Sequence, residues 1–124
     1  MSVYKTKSFD RWARKQYLSD AMLCQAIREI EQGRYEADLG GNLFKKRIAR
    51  SGHGKSGGFR TIVATNRGSR WFFVYGFAKN ERANIDPTEE TALKKLASTF
   101  LTMAPALLAK AQEAGEVIEV TCDG

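Results

Sequence analysis

The amino-acid sequence predicts an α+β domain. It should hold a small antiparallel β-sheet, a meander of three strands plus edge strands, with N-terminal helices and a C-terminal helix. Three observations predict it. Residues 43–77 fall into three runs of strand character separated by Gly-rich and polar turns. Residues 8–33 carry apolar positions at helical spacing. Asp86-Pro87-Thr88-Glu89 is a helix start, with a capping Asp, Pro at the first helical position and Glu two positions after it. The chain is 124 residues long and 43% hydrophobic, enough for one domain over 1–124 with a real core.

Taken in order, Val3–Thr6 is short enough for an edge strand. Ser8 can cap a short helix with Phe9, Trp12 and Ala13 on one side. Ser19 or Asp20 can start a second helix, in which Leu23, Ala26, Ile27 and Ile30 form one apolar stripe, Arg28, Glu29 and Glu31 face water, and Gly33 ends the helix. Residues 34–42 read as a loop ending in Gly40-Gly41, which suit positive φ. In Leu43–Arg50, Phe44 and Ile48 alternate with Lys45, Arg47 and Ala49, so one face packs and the other shows cations. Residues 51–58, SGHGKSGG, are too rich in Gly for regular structure and read as a mobile hairpin loop. In 58–66, Arg60, Ile62 and Ala64 share one strand face, and Phe59, Thr61 and Val63 share the other. A turn at 66–69 leads into Arg70–Phe77, a nearly continuous aromatic run expected in the core, with Tyr75 the exception because its hydroxyl wants a partner. After Asp86, Ala92, Leu96, Phe100 and Met103 run down one side of a helix, and Leu93, Ala97 and Leu101 widen the stripe. Pro105 ends or kinks it, a further helical turn or two reach Ala114, and Glu116–Cys122 alternates loosely enough for a last strand.

Charge narrows the function. Ten Lys and Arg and a single acid, Glu81, lie in residues 43–82, while the rest of the chain is net negative against a total of +6. Cations interleaved with apolar residues make a folded sheet with a basic face, which suits a polyanion such as nucleic acid. GHGKS at 52–56 is not a phosphate-binding P-loop, because position 49 is Ala and a strand rather than a helix follows. Backbone N–H groups of that loop and Lys55 could still meet phosphate oxygens. Two cysteines, Cys24 and Cys122, do not make a disulfide framework; Cys24 is expected to pack, and a reducing cytoplasm fits. With one histidine, His53, and no CxxC, neither a metal site nor a cofactor is expected. There is no apolar leader and no run of about 18 apolar residues that would span a membrane.

The strings LGGNLFKKRIARSGHGKSGGFRTI and FFVYGFAKNERANI resemble the RelE superfamily of toxins from bacterial type II toxin–antitoxin pairs, in particular its HigB-like branch, over roughly residues 3–103. The resemblance implies an antiparallel sheet with helices on one face and an active surface on the other. It implies a metal-independent endonuclease that cuts mRNA on the ribosome and represses translation, held in check by a cognate antitoxin, often a helix-turn-helix protein. Matched residue by residue, Arg60 in Gly57-Gly58-Phe59-Arg60 would face the scissile phosphate. Lys45, Lys46, Arg47, Arg50 and Lys55 would be available to the RNA, and Lys79 and Arg82 would take part after the last meander strand. The best-known members add a C-terminal tyrosine, and this chain has no Tyr after Tyr75.

The residue inventory suits that chemistry. The RNA 2′-OH attacks its neighbouring phosphate, so the protein need only take that proton, stabilise charge on the phosphorane and protonate the leaving 5′-oxygen. Arg60 can grip two phosphate oxygens with its planar fork. Lys55 or Lys79 could be the base if neighbouring cations depress its pKa, Arg82 could assist the leaving group, and His53 has the right intrinsic pKa. Catalytic candidates are therefore Arg60, Lys55, Lys79 and Arg82; RNA-binding candidates are Lys45, Lys46, Arg47, Arg50, His53 and Tyr75. A rival reading is a non-enzymatic toxin or binding module, such as a gyrase inhibitor on the same fold or a protein that binds only RNA or antitoxin.

Overall fold

The alternation read from residues 43–78 builds the centre of the molecule. In the computed structural model, which describes residues 1–49 and 58–122, three strands form the meander: β3 (Leu43–Ile48), β4 (Phe59–Thr65) and β5 (Arg70–Ala78). Before them come β1 (Ser2–Thr6), α1 (Lys7–Lys15), α2 (Asp20–Glu31) and β2 (Ala37–Gly40); after them come α3 (Pro87–Thr102), α4 (Pro105–Glu113) and β6 (Val117–Val120). The sheet order is β2-β3-β4-β5-β1-β6, and every neighbouring pair is antiparallel except β1 with β5.

Strand β1 departs from expectation. It is not an edge. Val3 pairs with Trp71 of β5 on one side and with Val120 of β6 on the other, and the edge is β6 itself. Part of the supposed loop 34–42 is β2, the opposite edge, whose Gly40 and Gly41 do carry positive φ. Helix α1 starts earlier than Ser8 suggests: Thr6 is its cap, accepting from the Phe9 N–H at 3.2 Å. Helix α2 is capped by Ser19, and α3 by Asp86 with Glu89 completing the capping box, as the sequence indicates.

Helices cover both faces of the sheet, not one. On the first face Phe44, Ile48, Phe59, Val63, Trp71 and Phe73 pack against α1 and α2 through Phe9, Ala13, Leu23, Ile27 and Ile30. On the second, Leu43, Ile62, Ala64, Phe72 and Val74 pack against Ala97 and Phe100 of α3 and Leu108 of α4. A strand apolar on both sides, as Trp71–Val74 is, needs cover on both. Each such side chain stabilises the fold by about 1.5–3 kcal/mol when fully buried. The α3 stripe is centred on Ala97 and Phe100, and Ala92 at its margin is exposed. Trp12 lies flat on Gly76 of β5, where an added Cβ would stand 2.2 Å from Cζ3 of the indole.

The cysteines overturn the expectation of two unbridged thiols. Cys24, buried in α2, is bonded to Cys122 just after β6, across 98 residues of sequence, with the Cα atoms 5.7 Å apart. Neither the spacing of the two nor any motif around them signals the bond. Among the described residues no helix is long and apolar enough to cross a membrane.

Candidate nucleic-acid interface

Strand register sets the site. Residues opposite one another in an antiparallel pair share a face. Arg47 of β3 is paired with Arg60 of β4, and Arg60 with Phe77 of β5. The adjacent row on the same face is Lys45, Ile62 and Tyr75. Two rows of cation, strand centre and aromatic ring therefore lie side by side on the α3 face of the sheet.

Arg82 closes this corner. Its guanidinium carbon lies 5.9 Å from the Tyr75 ring centre and 5.7 Å from that of Phe77. Its Nη1 donates to the Tyr75 hydroxyl at 2.9 Å and to Glu89 Oε2 at 3.0 Å, and its Nε donates to the Asn84 carbonyl at 3.0 Å. The hydrogen bond to Glu89 holds the Arg82 pKa above its already high ordinary value, so its guanidinium stays charged. Lys45 Nζ reaches Asn84 Oδ1 at 3.5 Å, tying the β3 end of the corner to the same loop. Lys79 follows β5; its backbone N–H bonds to Gly58 and its Nζ donates to the Ala83 carbonyl at 3.3 Å.

Arg60 is the surprise within the site. The sequence reading has it facing a phosphate, but its side chain is only 10% exposed. A buried guanidinium needs a counter-charge. Glu36, at the residue before β2, supplies it: Oε2 lies 2.7 Å from Arg60 Nε. The two groups are close but not aligned as a hydrogen bond, and Nη1 of Arg60 also has no hydrogen-bond partner among the described residues. The contact is held by charge, leaving the buried guanidinium with unfilled donor capacity. Gly58 leaves space for Arg47, whose Nε would lie 3.1 Å from a Cβ at that position.

Lys46 does not join these residues. It projects to the opposite face, is buried there, and pairs with Glu29 of α2 at 2.7 Å, so Glu29 does not simply face water. That hydrogen bond lowers the Glu29 pKa. Arg50, His53 and Lys55 lie outside the described residues, as does the loop reading of 51–57. The structure thus brings together Lys45, Arg47, Arg60, Tyr75 and Arg82, with Lys79 at the adjoining end of β5, and adds Glu36, Asn84 and Glu89, which the sequence reading missed. Glu89 had a signal, as part of the capping box. Glu36 and Asn84 had none, since each comes from a segment without periodicity. No group of three or more His, Cys, Asp or Glu side chains able to hold a metal ion occurs among the described residues.

No curated protein matches the chain. A protein-family model does: that of the RelE toxin of the RelE / RelB toxin–antitoxin system matches residues 1–120, nearly the whole length and every strand and helix described above. The α+β fold with its central meander is consistent with that match. The chain belongs to the RelE toxin family.

Proposed function

We propose that this toxin is a ribosome-dependent, metal-independent mRNA endonuclease that represses translation in the cytoplasm, of the HigB-like branch, and that a cognate antitoxin, a helix-turn-helix protein, neutralises it. The observation that carries the reading is the pair of cross-strand rows that set Lys45, Arg47 and Arg60 beside Tyr75 and Arg82 on one face of the sheet. Membership of a toxin family whose model names an antitoxin supports the partner.

In the proposed reaction the RNA 2′-oxygen forms a bond to phosphorus as the bond to the 5′-oxygen breaks. The products are a 2′,3′-cyclic phosphate and a 5′-hydroxyl. Lys45 and Arg47 hold the backbone, and Arg60 meets the non-bridging oxygens as they gain charge. Tyr75 is the proposed general acid. Its oxygen accepts from Arg82, so its own O–H is free to protonate the leaving 5′-oxygen. Lys79, or Lys55 from outside the described residues, takes the 2′-OH proton when its side chain is the neutral amine. Cutting on the ribosome lets the ribosome supply the substrate geometry.

The test is mapping of mRNA 5′ ends in a purified translation system. New ends inside translated codons that require ribosomes and vanish with Arg60→Ala would bear the proposal out. A specific observation favours the rival binding-module reading: Arg60 and Arg82 are both already paired with carboxylates. A folded protein that arrests growth but makes no new ends, whether by blocking gyrase or by binding alone, would establish that reading instead.

A further inference from the structure

The pairing of Arg60 with Glu36 carries an inference of its own, which rests on the reading of Arg60 as a phosphate-binding residue. Arg60 is nearly buried, yet two of its nitrogens make no hydrogen bond among the described residues. Glu36 is placed differently. Its side chain is 34% exposed, it precedes the edge strand β2, and it lines an open groove between α2 and the end of β3. One partner is fixed in the sheet and the other has room to leave. A carboxylate and a phosphate present the same feature to a guanidinium, a pair of anionic oxygens.

We propose that Glu36 is an internal counter-anion that occupies Arg60 in the free protein and gives way to an RNA phosphate. The ion pair satisfies a charge that burial alone would make costly. An incoming phosphate takes over that role, releases Glu36 toward the groove, and fills the donors Glu36 leaves unused. Glu36 thereby sets the affinity of the site. Contacts that lack a phosphate at this position cannot displace it, so it favours a polyanion seated in register over one that merely touches the basic face.

The experiment is a double-mutant cycle read by binding of a single-stranded, uncleavable 2′-deoxy oligonucleotide to the free full-length chain, by fluorescence anisotropy across a salt series. If Glu36 occupies Arg60 about nine-tenths of the time, Glu36→Gln should tighten binding by about tenfold. The slope of log affinity against log salt should stay the same, because the bound state holds the same phosphate contacts in both proteins and each is worth about 0.7 on a single strand. The gain in affinity should vanish when Arg60→Ala is also present. Binding no tighter in Glu36→Gln, with Arg60→Ala still weakened, would overturn the proposal and leave the reading of Arg60 standing. A gain that persists without Arg60 would overturn it too, by showing Glu36 to be a general repulsive charge. Binding unchanged in Arg60→Ala would remove the underlying reading, and the proposal with it. Should Glu36→Gln fail to fold by thermal melting, Glu36→Asp carries the same test. Its carboxylate, one methylene shorter, should tighten binding severalfold, and only when Arg60 is present.

Discussion

Arg82 and Glu89 form a two-pronged ion pair, with Nη2 2.5 Å from Oε1 and Nη1 3.0 Å from Oε2. The same Oε1 accepts the Asp86 N–H at 2.9 Å. One carboxylate therefore closes the capping box of α3 and fixes the cation that covers Tyr75 and Phe77. The helix start and the candidate site share a residue.

This pair predicts an acid-sensitive fold. The Arg82 hydrogen bond, helped by the Asp86 backbone N–H, lowers the Glu89 pKa from 4.5 to about 2. A depressed carboxylate stabilises the folded state above its unfolded pKa and loses that contribution as pH falls through the folded value. The melting temperature should therefore drop between pH 4.5 and about 2. In Glu89→Gln the drop over that window should be shallower, measured by circular dichroism at matched ionic strength. Asp10 contributes in the same sense: burial opposes its ionisation, but Lys5 and Arg14 outweigh that and hold its pKa below the ordinary value. The slope should accordingly shrink in Glu89→Gln without disappearing.

Reduction should loosen the fold. Closing a loop of about 100 residues removes roughly 4.7 kcal/mol of chain entropy from the unfolded state. Urea unfolding with and without a thiol reductant should show a loss of about 3–5 kcal/mol in the wild type. Cys122→Ser should show the lower stability under both conditions.

Gly76→Ala should be disruptive out of proportion to one methyl group. The new Cβ would meet the Trp12 ring at 2.2 Å, so α1 or the indole must shift. Overpacking of this kind costs about 1–3 kcal/mol. Trp12→Leu alone should also destabilise, but the double variant should lose less than the sum, because the smaller side chain vacates the contested space. Urea midpoints of the four proteins measure the coupling.

Arg70 ties the end of α3 to the sheet. Its Nη1 donates to the carbonyls of Phe100 at 2.9 Å and Met103 at 2.5 Å, groups the helix itself leaves without partners. Arg70→Met keeps the stem and removes the donor, and should cost about 1–3 kcal/mol. Hydrogen exchange should rise first in residues 98–103.

Local chemistry was legible, and distant partnership was not. Asp86-Pro87-Thr88-Glu89 announces α3 because cap and box lie within four residues. The β4 alternation assigns Arg60 to the face of Ile62 and Ala64, where the structure has it. That Arg60 is buried could not be read, because its neutralising partner is 24 positions away in an aperiodic segment. Strand β1 looked peripheral for a similar reason: four or five residues carry no sign of having a neighbour on both sides. The Arg82, Tyr75 and Glu89 contact joins a loop, a strand and a helix, so no single period relates the three. Lys46 illustrates the reverse case, since strict alternation with Lys45 and Arg47 already required it to point away.

The position of β1 also dictates an order of assembly. Its partners are residues 70–73 on one side and 117–120 on the other. Synthesis at about 5–20 residues per second puts on the order of ten seconds between the making of β1 and of β6. Closing such a long span makes folding slower than local hairpins would. The meander from β3 to β5, with its cationic rows, can form meanwhile from contiguous sequence. Of the six described strands, the one translated first is thus the last to be enclosed, and a growing chain displays its basic face before the sheet beneath it is complete.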